Sequence, residues 1–89
     1  MQSNFLLGAL EITPSAHKVL KRIPLDLIAR HAINSHGRIT RKEMATNLLS
    51  MQTVGPIISR YRADPTNPKS NYIVIKTDEH WANTLVDVE

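Results

Sequence analysis

The histidines at positions 17, 31, 36 and 80 come first, because neutral imidazole is a common metal ligand and the usual general base. Their spacing argues against a metal. His31 and His36 stand five residues apart, which turns them to different faces of one helix, and no pair has the i, i+4 spacing of a zinc helix. The chain has no cysteine and its carboxylates are scattered, so these histidines read as solvated or locally bonded. Asp64, Asp78 and Glu79 near Lys76 could gather a magnesium ion that activates water. However, Asp78 and Glu79 fall in a turn, where acids are ordinary. Ser50 and Ser59 have no neighbouring base, and Gly8, Gly37 and Gly55 build no phosphate loop. The expectation is a protein that is not an enzyme and carries neither metal nor cofactor.

Charge is the stronger signal. The 89 residues carry a net +3, unevenly placed: the stretch through Arg62 stands at +6, and the stretch from Ala63 onward at −3. A basic body with an acidic tail concentrates positive potential on one part of the surface and favours a polyanionic partner. The same imbalance also serves solubility.

Length and composition set the frame. Eighty-nine residues build one small domain, 1–89, around one modest core. Hydrophobic residues at 42% and charged residues at 21% are ordinary globular values that exclude wholesale disorder. Four aromatics, Phe5, Tyr61, Tyr72 and Trp81, leave little for stacking single strands or sugars. The apolar run Phe5 to Leu10 is too short for a membrane span and lacks the basic lead-in of a signal peptide, so a cytoplasmic location and no membrane partner are expected.

The elements that must position these residues follow from spacing and punctuation. Leu6 to Thr13 reads as a short strand. Thr13-Pro14 then opens a helix with Ala16, Val19, Leu20 and Ile23 on one side. Pro24 ends it and starts a second, whose apolar stripe is Leu25, Ile28, Ala29, Ala32 and Ile33, closed by Gly37. Thr40 and Glu43 form a capping box, with Ile39 and Met44 as its hydrophobic staple, for a third helix through Leu48 and Leu49. Gln52 to Arg62 fits two templates. Val54, Ile57, Ile58 and Tyr61 have helical spacing, while Ile57, Ser59 and Tyr61 also alternate with Ile58, Arg60 and Arg62 as in an edge strand. Pro56 is compatible with either, and the periodicity favours helix. Asp64 to Ser70 is a polar loop, and Asn71 to Lys76 with Thr84 to Val88 forms an antiparallel hairpin. Trp81 covers a core more often than it anchors a partner. Phe5 to Leu10 should join the sheet or pair with a second subunit, because an unpaired apolar edge is sticky.

Helices followed by a hairpin, from Leu25 to Val88, resemble the winged helix-turn-helix family of DNA-binding domains. The residues that carry the likeness are Gly37-Arg38-Ile39-Thr40, Glu43-Met44-Ala45, Leu48, Thr53-Val54, Ile57 or Ile58, and Tyr61. The resemblance implies a recognition helix from about Thr53 to Arg62, with double-stranded DNA as partner. Gln52, Thr53, Ser59 and Arg60 would face the groove or phosphates, and Arg62 lies at the end of that helix. Arg38, Arg41 and Lys42 would reach the flanking backbone, and Lys69 and Asn71 would sit in or near the wing. The inter-helix turn Leu49-Ser50-Met51-Gln52 departs from the family in lacking glycine, and Gly55-Pro56 falls in the first turn of the recognition helix. The run from Leu48 to Pro65 is also similar to small uncharacterised proteins of bacterial plasmids and integrative elements, which implies a mobile-element setting and no defined activity.

The sequence therefore predicts an α+β domain: an N-terminal strand, three to four short helices and a C-terminal antiparallel hairpin. The leading function is DNA binding of the winged-helix kind, as a small regulator of transcription or an accessory protein. The alternative is a protein-protein interaction module, a homodimer or partner-binding domain, in which Gln52 to Arg62 is a strand.

Overall fold

A computed structural model describes residues 5–89. The chain runs β1 (Ala9–Ile12), α1 (Pro14–Leu20), α2 (Leu25–Ala32), α3 (Arg41–Thr53), β2 (Ile57–Arg62), β3 (Tyr72–Thr77) and β4 (Asn83–Val88). The strands form one sheet in the order β1-β4-β3-β2, with β1 parallel to β4 and the other neighbours antiparallel. The α+β class is as expected, and the N-terminal strand joins the sheet.

The helix starts follow their sequence signals. Thr13 accepts a hydrogen bond from the Ala16 N–H and Pro14 fills the first turn of α1. The Thr40–Glu43 capping box is complete in both directions. Leu27 and Ile28 of α2 pack with Ala16 of α1 against Tyr61, Ile73, Ile75 and Val86, which together make the core.

The helix expected from Thr53 to Arg62 is corrected. Val54 adopts a left-handed φ of 59° and ends α3, and the chain leaves Pro56 as strand β2. In this sheet the alternation wins over the helical period: Ile57, Ser59 and Tyr61 are buried, while Ile58, Arg60 and Arg62 are half-buried on the other face. The hairpin is corrected in its setting. β3 and β4 pair antiparallel, but they are the centre of a four-stranded mixed sheet and not a free-standing wing.

The edge of β2 is closed by short contacts. The Asn47 side chain donates to the Ile58 carbonyl at 2.8 Å and accepts from the Ile58 N–H at 3.0 Å, standing in for a strand residue. Two residues on, the Arg38 N–H donates to the Arg60 carbonyl and the Arg60 N–H to the His36 carbonyl. Gly37 makes this bridge possible: its φ is +71°, and a Cβ there would overlap the Arg60 carbonyl.

Candidate functional site

Two polar regions adjoin β2, one sealed and one open. The sealed one begins at His31 and Ser59, neither of which has any accessible surface (0% each). His31 Nδ1 lies 2.5 Å from Ser59 Oγ, and Nε2 lies 2.9 Å from Thr77 Oγ1. Thr77 meets Thr84 at 2.7 Å, and Thr84 donates to the Leu7 carbonyl at 2.6 Å. On the other side Ser59 Oγ lies 2.6 Å from His36 Nδ1.

The proton order in this seam is fixed from its end, because a carbonyl oxygen only accepts. Thr84 gives its proton to Leu7, so Thr77 donates to Thr84 and must accept from His31 Nε2–H. Burial, with the neighbouring His36, lowers the His31 pKa to about 3, so its ring is neutral at pH 7 and Nδ1 is bare. Ser59 therefore donates to His31 Nδ1 and accepts from His36 Nδ1–H. Burial lowers His36 as well. Phe5 packs edge-on against His31 with ring centroids 5.2 Å apart, and Trp81 tilts against Phe5 at 5.7 Å while donating from Nε1 to the Gly55 carbonyl at 2.8 Å.

The Ser59–His31 pair has the distance of a nucleophile and its base. Ser59 has no accessible surface, however, and its chain of partners ends in threonines and a carbonyl with no carboxylate. The seam ties α2 to β2, β3 and β4, and its role is structural. Among the described residues no group of three or more histidines and acids is arranged to hold a metal ion, and no helix is long and apolar enough to cross a membrane.

The open region is a cleft of about 310 Å³ between α2, the Gly37–Arg38 segment and β2. Arg22, Arg30, Arg38, Arg60 and Arg62 line it with Asp26 and Tyr61. Two of the five are already neutralised. Arg22 pairs with Asp26 at 2.7 Å. Arg60 holds Glu43 at 2.8 Å and Glu89 at 2.9 Å, which raises its own pKa and lowers that of Glu43 to about 2. The other three have no carboxylate partner among the described residues. Arg30 lies 4.7 Å over the Tyr61 ring, and Arg62 lies 5.2 Å over Tyr72 and donates to the Pro68 carbonyl. Arg38 is exposed. Arginines held on aromatic faces keep their outward N–H groups free for an anion.

The sequence-derived site residues scatter over this frame. Arg38, Arg60 and Arg62 meet in the cleft. Ser59 belongs to the sealed seam, which removes it from any groove. Gln52 and Thr53 are exposed at the end of α3, and the Thr53 hydroxyl donates back to the Leu49 carbonyl. Arg41 and Lys42 are exposed in the first turn of α3, and Lys69 and Asn71 are exposed before β3. Sequence reasoning missed Arg30 and Arg22, which counted only toward the positive charge of the stretch through Arg62. The pairing of Gly37–Arg38 with β2 brings them to Arg60 and Arg62, and no local pattern announces that bridge.

Compared with models of protein families, with curated proteins and with solved structures, the chain matches none of them.

Proposed function

We propose that the protein is a non-enzymatic DNA-binding accessory protein that holds the phosphate backbone of a duplex in the arginine cleft. The observation that carries this reading is the set of three guanidiniums, Arg30, Arg38 and Arg62, that share one open cleft and have no carboxylate of their own among the described residues. Unpaired arginines around one concavity gain most from a polyanion, because each phosphate bound releases condensed counterions. In this reading the contacts are to phosphate, which positions a protein on DNA without reading its sequence. The groove-reading helix of the winged-helix likeness has no part in it, since β2 occupies that stretch. Lys69 and Asn71, in the loop before β3, extend the contact beyond the cleft.

A fluorescence-anisotropy titration with a labelled duplex, at low and at moderate salt, tests the proposal. The three cleft guanidiniums alone contribute about −2.7 to the slope of log affinity against log salt, and Lys69 steepens it further. Absence of binding at low salt rejects it. The rival reading, a protein-interaction module without nucleic-acid binding, has support of its own in the strand at Ile57–Arg62 that it requires and in the exposed leucines of α3.

A further inference from the structure

Helix α3 is built inside out. Its buried residues are Asn47 and Ser50, both polar, while Met44, Leu48 and Leu49 stand 51%, 64% and 61% exposed. Asn47 explains the inward side, because it pairs with Ile58 at the edge of β2. The outward side has no such account within one chain. A run of exposed Met and Leu on the far face of a helix marks a surface that another molecule covers.

We infer that this face pairs with α3 of a second copy of the chain, the two helices antiparallel about a two-fold axis. The sequence of the face is its own complement. Arg41, Ala45, Leu48 and Gln52 follow the 4-3-4 spacing of a coiled-coil seam, and all four are exposed. An antiparallel two-fold through the middle of that seam sets Ala45 against Leu48 of the second copy, small against large. It sets Arg41 against Gln52 and, along one flank, Met44 against Met51. Met44 and Leu48 also border a groove of about 230 Å³ with Ile39 and Met51, so the flank that meets the second copy is an apolar recess in both.

Charge gives the same direction. Arg41 and Lys42 occupy the positive N-terminal end of their own helix, and the last turn of α3 contains no basic residue. Antiparallel pairing brings Arg41 of each copy to the uncompensated C-terminal carbonyls of the other. Among the described residues Arg41 has no acidic partner within its own chain. No residue that lines the arginine cleft lies on α3, and the inference is independent of the DNA reading.

Sedimentation velocity on the full chain, from about 1 to 200 µM, tests this. Leu48→Glu should weaken the dimer at least about 30-fold, as a central apolar anchor does. Met44→Glu, at a residue 51% exposed on the same flank, should act in the same direction, and both should keep the far-UV circular dichroism of the parent. Leu25→Glu, at a residue 68% exposed on α2, should leave the dimer unchanged. A chain that stays monomeric across the range overturns the inference. So does a dimer that survives both α3 variants, which would place the contact on another surface such as the β1 edge.

Discussion

The histidine seam and the arginine cleft both adjoin α2 and β2, and they show two opposite uses of polar residues. In the seam, Ser59, His31, Thr77 and Thr84 are neutral, buried and satisfied by one another. Low dielectric makes such a chain strong when complete and costly when one member is lost. In the cleft, Arg30, Arg38 and Arg62 are charged, reach solvent and lack a carboxylate partner among the described residues. The lesson is that residue type alone does not locate function here. Ser59 and Arg60 are adjacent and both polar, yet one is sealed in the seam and the other is clamped by two carboxylates.

Breaking the seam should have the largest effect. His31→Leu removes the group that serves Ser59 and Thr77 together, leaving buried hydroxyls without their partner. The expected loss is about 3–5 kcal/mol in urea unfolding, enough to unfold much of a domain this small. Arg38→Ala, in the cleft, should change stability by less than about 0.5 kcal/mol. Equal losses from the two substitutions would erase the distinction between the regions.

Acid should act on the seam next. The His31 pKa is held near 3 against an ordinary 6.5, so between those values the unfolded chain binds the extra proton. Stability from this group is complete above pH 6.5 and falls as the pH drops from 6.5 toward 3. Its ceiling is about 1.4 kcal/mol per pH unit. Glu43 adds a second loss in the same direction, starting near its ordinary pKa of 4.5 and ending near 2. Thermal melts from pH 7 to 4.5 isolate the histidine part, and His31→Gln should flatten that stretch of the profile.

Arg60 sharpens the comparison from the cleft side. Its side chain is 16% exposed and carries both Glu43 and Glu89, so Arg60→Ala should cost about 1–3 kcal/mol in the same unfolding assay. That separates it from Arg38, although the sequence offers both as phosphate ligands.

How much of this was legible in the chain differs by scale. The helix starts were, because capping is local: Thr13-Pro14, and Thr40 with Glu43, act within four residues. The strand β2 was half legible. Ile57, Ser59 and Tyr61 alternate correctly, but a helical period fits the same residues, and only pairing with β3 decides between them. The seam was not legible at all. His31 meets Thr77 across 46 residues and Thr84 meets Leu7 across 77, and no spacing rule reaches that far. The inverted face of α3 was hidden for a related reason: Asn47 faces inward because Ile58 needs a partner, a demand made by the sheet edge.

A smaller effect, of opposite sign to the Arg60 loss, is expected at Val54, where a β-branched residue sits at a φ of 59° and half exposed. Val54→Gly should relieve the left-handed strain and raise stability by about 0.5–1 kcal/mol, net of the entropy glycine loses on folding. A loss in urea unfolding would show that the Val54 side chain contributes more than its backbone costs.

The most direct test is the salt dependence of duplex binding by the Arg30→Gln, Arg38→Gln, Arg62→Gln triple variant beside the parent chain. Neither the seam nor the Arg60 clamp is touched, so both proteins should unfold within about 1 kcal/mol of each other, allowing for the Arg30–Tyr61 and Arg62–Tyr72 contacts. The parent's slope of log affinity against log salt should exceed the variant's by about 2.7 in magnitude, one counterion term for each lost guanidinium. A variant that binds duplex with the parent's affinity and slope would contradict the assignment of phosphate to the cleft.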